Sequence, residues 1–520
     1  MNSSIEINSQ FQKALEAIES RKNLFITGKA GTGKSTFLNY FRGHTERKVA
    51  VLAPTGVAAL NVEGETIHSF FRFKPDITLE KIKKLKGRRS SLYKEIDTII
   101  IDEISMVRAD LLDIVDRFLR LNAKSSALPF GGAQMVLIGD LYQLPPVVTS
   151  REKTIFETRY ESPYFFDARV FRNHPMEMIE LEKIYRQKDP CFIELLNSIR
   201  NNTVTDDQLR MLNARVNAKT SLSIKTGYTV HLTPTNAMAL EINAERLSHL
   251  KSHVHLYSAQ ISGRFEGHAY PADETLQLAE GAQVMFLNND SVGRWVNGTL
   301  GRVKTVKRDK ETGEDVIQVQ LSSGCVEEVQ RHTWDIFHFT FNSETQLIET
   351  ENLGVFQQYP LKLAWAVTIH KSQGKTFDHV VIDMGRGAFA HGQTYVALSR
   401  CTSLEGMTLV KPVQKAHIWT DWRIVRFMTG HQYRDSEQRM PLARKLELIQ
   451  RAIENESQLE IVYLKASDDK TERTIIPREV ARMEYLGKPF TGLQAYCLKR
   501  KDERVFRVDR ILEMKVVEKE

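Results

Sequence analysis

A phosphate-binding pattern is the most specific chemical signal in this chain of 520 residues. Gly28-Lys-Ala-Gly-Thr-Gly-Lys-Ser35 fits G-x-x-x-x-G-K-[ST] in full and lies between an apolar run, 23–27, and a helical run, 36–41. Glycines let backbone N–H groups surround the β- and γ-phosphates of a nucleotide, Lys34 adds positive charge, and Ser35 is a ligand for Mg²⁺. The residues expected to contact nucleotide here are Gly28, Gly31, Thr32, Gly33, Lys34, Ser35 and Thr36.

Two carboxylates and an amide follow later apolar runs and suit hydrolysis of that nucleotide. Thr98-Ile-Ile-Ile-Asp102-Glu103 predicts a strand that presents Asp102 to the metal and Glu103 to the attacking water as general base. Gln143, in Gly139-Asp-Leu-Tyr-Gln-Leu-Pro-Pro146, follows another predicted strand and could contact both the γ-phosphate and that water. The motif alone leaves open an exposed proline-rich turn in which Gln143 has no role.

Two arginines are candidates for the positive charge that hydrolysis needs beside the γ-phosphate. A guanidinium placed across a cleft stabilises the charge of the transition state. Arg186 lies in Tyr185-Arg-Gln187, and Arg400 ends Tyr395-Val-Ala-Leu-Ser-Arg. Both fall in a predicted second α/β portion, as a motor that closes on its nucleotide requires. Taken alone, each also fits an ordinary surface arginine.

The elements that position these residues form an α/β pattern. Strand-like runs at 49–53, 98–101 and 135–138 alternate with helical stretches, as in a parallel sheet. A second α/β portion is predicted to begin near Met176, with strands at 229–232 and 380–382. Short strands with glycine turns at 260–355 predict a small β-barrel inserted into this second portion.

The predicted domain bounds follow from these patterns. A polar, charged stretch with one proline predicts a linker at 431–446. We expect a first motor domain at 1–170 with a small basic insertion at 72–93, a second motor domain at 171–430, and a last domain at 447–520.

Composition narrows the compartment and the partners. The net charge of +7 fits a polyanionic partner, although a basic surface with no partner fits equally well. The four cysteines form no Cys-x-x-Cys pair, which argues against a zinc cluster or a disulfide framework and favours the cytoplasm. The first ten residues lack a secretion signal, and no apolar run approaches the length of a membrane span, so no membrane partner is expected.

Taken together, the ordered motifs over about 7–412 resemble superfamily 1 helicases, and more closely the Pif family of 5′-to-3′ DNA helicases. The blocks that carry this resemblance are 28–35, 53–61, 66–70, 102–106, 139–146, 185–187, 366–374 and 395–400. Pro129-Phe-Gly-Gly132, with Ser105-Met-Val107 upstream, resembles the signature that separates Pif helicases from RecD-type relatives. The resemblance implies two RecA-like domains and ATP-driven translocation on single-stranded DNA, by a monomer that unwinds forked or structured DNA with Mg²⁺.

The resemblance also assigns roles by position. Lys34, Ser35, Asp102, Glu103, Gln143, Arg186 and Arg400 take the ATPase roles described above. Gly374 and Lys375 are expected near the nucleotide. The family's adenine-reading glutamine aligns with Phe11, so the alternatives are Gln10, Gln12 or no such glutamine, and Gln12 is assigned to ATP.

Residues after strand ends in both motor domains are candidates for gripping a DNA strand. Small hydroxyl and amide groups hold phosphates, and an aromatic ring stacks on a base. The candidates are Pro54, Thr55, Gly56, Thr66, His68, Ser69 and Phe70 in the first portion, and Thr235, Asn236, Thr368, His370, Lys371 and Ser372 in the second. The alternatives are that His68 and His370 are core histidines and that Phe70 is simply packed.

Residues from about 447 resemble a WYL domain, a small β-barrel module associated with binding nucleic acid or a nucleotide-like ligand and with regulating an attached domain. The resemblance makes Tyr496, Arg507 and Arg510 the candidate ligand contacts. A folded appendage without a ligand is the alternative. For the whole chain, a non-enzymatic DNA-binding regulator and a translocase that strips proteins without unwinding are the competing hypotheses.

Overall fold

A computed structural model describes residues 7–517, except for 75–76, 87–89, 149–155, 157, 173, 175, 218–227, 264–269, 311–312, 343–346 and 386. The chain divides into two compact units. The larger unit comprises Met1–Asn197 and Thr205–Ile418, and the smaller comprises Ser198–Val204 and Trp419–Glu520. Among the described residues, no helix combines the length and the apolar character that crossing a bilayer requires.

The first sheet of the larger unit has six parallel strands in the order β3-β2-β4-β5-β1-β6. Its strands are β1 (Leu24–Gly28), β2 (Val49–Ala53), β3 (Glu65–Thr66), β4 (Thr98–Ile101), β5 (Gln134–Ile138) and β6 (Glu177–Leu181). All residues of β1, β4 and β5 are buried, as expected of parallel strands covered on both faces. The runs predicted at 49–53 and 98–101 match β2 and β4 residue for residue.

Among the described residues, six helices accompany this sheet. They are α1 (Ser9–Glu19), α2 (Lys34–His44), α3 (Gly56–Asn61), α4 (Ile67–Phe70), α5 (Ser91–Glu95) and α6 (Ala109–Asn122). Phe11 on α1 and Phe37 on α2 pack edge to face at 4.8 Å in the core beside β1. In the predicted insertion at 72–93 the described lysines are exposed, but Phe73 and Tyr93 are buried, so the segment contributes to the core.

Strand β6 corrects the predicted boundary between the two α/β portions. It pairs in parallel with β1, from Leu24 opposite Glu177 to Gly28 opposite Leu181. The prediction that the first domain ends at 170 and that a second begins near Met176 is therefore wrong. The local sequence pattern carries no information about a partner strand some 150 residues earlier in the chain.

The second sheet has four parallel strands in the order β18-β7-β19-β20. They are β7 (Val230–Thr233), β18 (Ala366–Thr368), β19 (Val380–Ile382) and β20 (Met407–Leu409). The helices of this region are α7 (Pro190–Arg200), α8 (Asp206–Asn213), α9 (Asn236–Ser248) and α10 (Gln393–Leu398). The run predicted at 380–382 coincides with β19, and the run at 229–232 is offset from β7 by one residue.

Antiparallel strands separate β7 from β18, in agreement with the predicted β-rich insertion. A pair contains β8 (Val254–Ser258) and β10 (Thr275–Ala279), and a three-stranded sheet contains β9 (Gln260–Gly263), β15 (His332–Asn342) and β16 (Leu347–Gln358). A five-stranded sheet contains β11 (Gln283–Phe286), β12 (Leu300–Arg308), β13 (Asp315–Leu321), β14 (Val326–Val329) and β17 (Leu361–Leu363). Closure of this sheet into a barrel stays a prediction.

The smaller unit is built from two helices and one antiparallel sheet. The helices are α11 (Trp422–Arg439) and α12 (Leu442–Glu454). The strands are β21 (Gln458–Leu464), β22 (Lys470–Tyr485), β23 (Lys488–Cys497), β24 (Asp502–Arg507) and β25 (Ile511–Val517), in the order β24-β23-β22-β21-β25. Its apolar core includes Ile449, Leu459 and Leu493. Closure of this sheet into a barrel also stays a prediction.

The linker predicted at 431–446 is wrong, because this segment is helical except at Met440 and Pro441. The buried residues of α11 recur at helical spacing and include Ile424, Met428 and Ser436. Such a narrow buried stripe leaves most of the helix polar, which explains why its composition resembles that of a linker.

Candidate active site

The phosphate-binding loop joins β1 to α2. Gly31 has φ +82°, a conformation that favours glycine. A Cβ at this position would also lie 2.5 Å from the Cβ of Arg186, which is too close for any side chain. Helix α2 begins at Lys34, and Ser35 and Thr36 are exposed in its first turn. A loop that ends at a helix N-terminus directs backbone N–H groups toward an anion. The structure thus places the predicted nucleotide contacts as the motif requires.

Lys34 lies at the centre of the loop. Its Nζ donates to the carbonyl oxygens of Gly28 at 2.6 Å and Lys29 at 3.0 Å. Burial lowers the pKa of Lys34, and the nearby carboxylates of Asp140 and Glu103 oppose that shift. An ammonium held between a phosphate-binding loop and several carboxylates is suited to neutralising a polyphosphate.

Asp102 and Glu103 stand at the end of β4, as predicted. Burial and the neighbouring Glu103 raise the pKa of Asp102 to about 7, and burial also raises the pKa of Glu103. The hydroxyl of Ser35 and the carboxylate of Asp102 are hard oxygen donors of the kind that Mg²⁺ prefers. The residues present therefore fit this ion.

Two buried glutamines connect the two α/β portions at Glu103. The amide Nε2 of Gln373 donates to Oε2 of Glu103 at 2.8 Å and to Oε1 of Gln143 at 3.3 Å. Gln143 is buried and its Nε2 donates to Asp140 at 3.3 Å, so the alternative of an exposed, idle side chain is wrong. No role was predicted for Gln373, although it lies in the 366–374 block that carried the family resemblance.

The two predicted arginines approach Glu103 from different parts of the chain. Arg186 follows β6 of the first sheet, so its assignment to the second portion is wrong, and it donates to the carbonyl of Ser399 at 3.2 Å. Arg400 is fully buried, and its Nε donates to Val396 at 2.9 Å. Burial and Arg186 lower the pKa of Arg400 to about 9, and Glu103 acts in the opposite direction.

Further contacts that the sequence did not predict join the phosphate loop to the second portion. The hydroxyl of Tyr395 accepts a hydrogen bond from the backbone N–H of Ala30 at 2.9 Å. Gln187 donates to the carbonyls of Ser399 at 3.2 Å and Cys401 at 3.0 Å. Both residues lie within predicted motifs, but their partners become apparent only once the two sheets are placed together.

The side chains of Lys375 and Gln12 have partners outside the phosphate loop, and their contact with ATP stays a prediction. The Nζ of Lys375 donates to Oδ1 of Asn297 at 2.6 Å, and Nδ2 of Asn297 donates to Oδ1 of Asn61 at 2.9 Å. Lys375 therefore takes part in a polar link between the insertion and the first portion, rather than in the phosphate loop. Gln12 is exposed and donates to Glu16 on its own helix at 3.1 Å. The flexible backbone of Gly374, with φ +78°, lies beside Asn61.

Gln10 is the better-placed candidate for the adenine base. Its Nε2 donates to Glu182 at 3.2 Å, in the segment that follows β6. Tyr185, three residues after Glu182, lies close to Gly33 of the phosphate-binding loop, since its ring would be 3.8 Å from a Cβ built on that glycine. Phe11 is buried in the core, and the assignment of a glutamine to the adenine base stays a prediction.

A groove in the second portion is lined by five of the six strand-binding candidates predicted there. The groove has a volume of about 380 Å³ and is lined by Pro234, Thr235, Asn236, Thr368, His370 and Lys371. Phe389, which the sequence did not predict, is 62% exposed and stacks on His370 with a ring separation of 6.2 Å. Ser372 is fully buried and donates to the carbonyl of Ile369 at 2.8 Å, so its prediction as a strand contact is wrong.

In the first portion, several strand-binding candidates have structural roles. The hydroxyls of Thr55 and Thr66 cap α3 and α4 by accepting from Ala58 and Ser69, each at 3.2 Å. Phe70 is buried against Tyr93, so the packed alternative is correct and the prediction that it stacks on a base is wrong. The exposed or half-buried members of this group are Pro54, Thr55, Gly56, Thr66, His68 and Ser69.

The predicted ligand residues of the smaller unit are only partly brought together. Arg507 pairs with Asp509 at 2.7 Å, and its guanidinium lies 5.0 Å from the ring centre of Phe490. Tyr433, on helix α11, lies near both Arg510 and Arg507. Burial raises the pKa of Tyr433 to about 12, and the positive charges of the two arginines lower this pKa. Arg507 pairs with Gly492 on the neighbouring strand, and Tyr496 lies four positions further along that strand. Tyr496 is therefore on the same face of the sheet as Arg507, but about 13 Å away along the strand direction.

The phosphate loop, the paired carboxylates and the converging arginines define an ATP-hydrolysing motor with two α/β domains. A family model for PIF1-like helicases matches residues 4–210, and a WYL domain model matches residues 444–516. The helicase Pif1 of Bdellovibrio bacteriovorus is 33% identical over 423 residues, which cover 78% of this chain and 88% of that protein. PIF1 of Homo sapiens is 33% identical over 418 residues, and the chain spans 61% of its length.

Solved structures agree with these matches. Unliganded Pif1 from Bacteroides sp superposes with a TM-score of 0.73 at 38% identity, covering 82% of this chain and 98% of that one. Pif1 from Candida albicans superposes with a TM-score of 0.64 at 30% identity, covering 82% and 99%. The two parallel sheets are therefore RecA-like domains. This chain belongs to the Pif1 family of helicases, and it carries a WYL domain at its C-terminal end.

Proposed function

We propose that the chain is an ATP-dependent DNA helicase that moves 5′ to 3′ on single-stranded DNA and unwinds duplex or structured DNA. The observation that carries this proposal is the convergence of Lys34 and Glu103 from the first RecA-like domain with Arg400 from the second. Bacteroides Pif1 has been solved in complex with ADP-AlF4 and bound to single-stranded DNA, which supports a nucleotide and a DNA strand as the ligands of this chain. The polarity is a property of the family.

ATP is the substrate and Mg²⁺ the cofactor in this proposal. Ser35 and Asp102 would hold the ion, which would supply positive charge to the phosphates of ATP. Lys34, Arg186 and Arg400 stabilise the charge that develops on the γ-phosphoryl group. Glu103 takes the proton of the attacking water, and Gln10 selects the adenine base.

The DNA strand occupies the groove of the second domain and the exposed ends of β2 and β3 in the first. Thr235, Asn236 and Lys371 hold phosphate oxygens, and Phe389 with His370 offers aromatic surface to a base. Contacts of this kind are made mainly to the backbone, so sequence preference is weak. Nucleotide binding draws the two domains together, and product release lets them separate. If the two domains bind the strand with unequal affinity in each state, every cycle moves the protein in one direction.

The decisive experiment measures ATP hydrolysis with and without a single-stranded oligonucleotide, followed by unwinding of duplexes with a 5′ or a 3′ tail. We expect strand-stimulated hydrolysis and unwinding of the 5′-tailed duplex alone. Hydrolysis that no strand stimulates, or unwinding from a 3′ tail, contradicts the proposal. Displacement of streptavidin from a biotinylated strand without any unwinding would instead identify a translocase.

The WYL domain modulates strand binding or activity in this proposal, through Arg507, Arg510 and Tyr496. Replacing both arginines with alanine is expected to spare ATP hydrolysis by the full chain. Each phosphate contact on a single strand contributes about 0.7 to the slope of log affinity against log salt concentration. If both arginines contact phosphates, the magnitude of this slope should therefore fall by about 1.4 in the double variant. An unchanged slope and affinity would assign the domain a purely structural role.

The chain is proposed to act as a monomer in the cytoplasm, the compartment that its four unpaired cysteines favour. Bacteroides Pif1 has been described at forked duplex DNA as two coordinating helicases. Sedimentation of the chain on a single strand and on a fork separates the two cases. We expect one copy on the single strand, and two on the single strand would overturn this assignment.

A further inference from the structure

Gln373 occupies a position between the two RecA-like domains that the mechanism above does not use. It is 8% exposed and donates from Nε2 to Glu103 at 2.8 Å and to Gln143 at 3.3 Å. Both partners offer oxygen atoms, so the NH₂ end of the amide must face them. The orientation of the Gln373 amide is thereby fixed.

The other end of this amide is buried without a partner. Within the part of the chain that the structure describes, Oε1 of Gln373 accepts no hydrogen bond. A buried carbonyl oxygen left unpaired is costly, so a donor that reaches Oε1 of Gln373 during function would be bound favourably. Because Oε1 belongs to the amide that binds Glu103, a donor on Oε1 lies beside the general base.

The backbone around Gln373 ties it to the strand groove. Thr368, His370 and Lys371 line the groove, and Gln373 follows within two residues of the last of them. Backbone hydrogen bonds from Ser372 to Thr368 at 2.9 Å and from Gln373 to His370 at 3.2 Å make this segment a tight turn. The hydroxyl of Ser372 closes the turn on Ile369 at 2.8 Å. A strand that shifts His370 or Lys371 therefore shifts Gln373 as well.

We propose that Gln373 is a positioning residue that couples strand binding to ATP hydrolysis. Its NH₂ group holds the carboxylate of Glu103, and its free carbonyl oxygen accepts a hydrogen bond from the attacking water. The water gives one proton to Glu103 while its oxygen forms the bond to the γ-phosphorus. The bond from that phosphorus to the bridging oxygen breaks, and ADP leaves with the electron pair. This inference rests on the proposed helicase function and adds the route by which the strand acts on it.

The test replaces Gln373 with methionine, which keeps the length of the side chain and removes both amide functions. We expect kcat for strand-stimulated hydrolysis to fall about 100-fold, as for the loss of other groups that position charge in a transition state. The KM for ATP and the affinity for a fluorescent dT oligonucleotide should stay within twofold. Gln373→Asn, which keeps the amide on a shorter side chain, should lose about 10-fold and serves if the methionine variant fails to fold.

Gln432→Met is the matched control, because Gln432 is also 8% exposed, donates to a carboxylate (Asp468, 2.9 Å) and has an unpartnered Oε1. It lies in the smaller unit, so kcat should not change. Wild-type kcat and strand stimulation in the Gln373 variants would overturn the proposal, as would a loss of activity matched by equal losses of ATP and strand affinity. If the wild-type chain itself shows no strand stimulation, the helicase assignment fails instead.

Discussion

The backbone of Glu103 adopts a conformation that residues other than glycine rarely take. Its φ is 50° and its ψ is 43°, in the left-handed region directly after the buried strand β4. Such a conformation costs about 1–3 kcal/mol and persists where surrounding structure enforces it. At this point it turns the chain so that two successive carboxylates, Asp102 and Glu103, both act on Lys34. The strain therefore coincides with the residue assigned to proton transfer.

Replacing Lys34 with alanine tests the assignment of the phosphate loop. We expect ATP hydrolysis to fall at least about 100-fold, because the variant lacks the charge that neutralises the γ-phosphate. Affinity for a single strand should be unchanged, since Lys34 lies outside the groove. Lys13→Ala, an exposed lysine on α1, is the control that should keep full activity. Normal hydrolysis by the Lys34 variant would be incompatible with the site described.

Arg400→Lys tests whether the buried guanidinium, rather than charge alone, is needed. The guanidinium of Arg400 donates to the carbonyl of Val396 at 2.9 Å and to the hydroxyl of Ser399 at 2.9 Å. The compact ammonium of a lysine cannot make both hydrogen bonds at once. We expect kcat to fall about 1,000-fold with little change in KM for ATP. Arg439→Lys, on the exposed part of α11, should have no effect. Activity within threefold of wild type would show that positive charge alone is sufficient at this position.

The sequence predicted the catalytic residues whose roles depend on a local pattern. Lys34, Asp102 and Glu103 follow strands at fixed spacing, so their positions were predictable. Gln373 and Tyr395 were missed, because their partners lie hundreds of residues away in the chain. Burial of a side chain is equally invisible to a motif, which is why Phe70 was wrongly predicted to stack on DNA.

At the scale of elements, the segment from β18 through Lys375 connects the strand groove to the catalytic groups. Phe389, on a loop before α10, stacks on His370 of that groove. Phe389→Ala is expected to weaken single-strand affinity about 5-fold to 100-fold, the range for loss of one stacking side chain, whereas Phe389→Trp should retain it. Fluorescence anisotropy with labelled dT and dA oligonucleotides measures the change.

Phe70→Leu is the contrasting variant, since Phe70 is buried and packs against Tyr93. It should lower the free energy of unfolding by about 1–2 kcal/mol without changing strand affinity. Loss of affinity in this variant, together with normal affinity in Phe389→Ala, would reverse the two assignments.

Two elements show why pattern alone misplaced domain boundaries. Strand β6 alternates polar and apolar residues, and only its pairing with β1 assigns it to the first sheet. Helix α11 buries a stripe so narrow that charged residues dominate its composition. Strands such as β2, β4 and β19 were located correctly because parallel, buried strands are apolar throughout.

At the scale of the whole molecule, the smaller unit is more than the WYL domain predicted from 447 onward. It begins at Trp419 and also includes Ser198–Val204 from within the motor sequence. Inside this unit the hydroxyl of Ser436 on α11 donates to the backbone of Leu512 at 2.8 Å, and the fully buried Lys445 donates to that hydroxyl at 2.9 Å. Helices α11 and α12 are therefore part of its folded core.

Truncation should consequently succeed at one boundary and fail at the other. A chain ending at Ile418 removes α11 and α12 together with their sheet, and we expect strand-stimulated ATP hydrolysis to persist while strand affinity or its regulation changes. A chain ending at Leu446 keeps α11 but removes the carbonyl partners of Ser436 and the sheet residues of the apolar core, such as Leu459 and Leu493, so apolar surface is exposed and aggregation follows. Size-exclusion chromatography and thermal melting compare the two, with the full chain as reference. Equal solubility and equal melting temperatures for both truncations would mean that these helices fold independently of the C-terminal sheet.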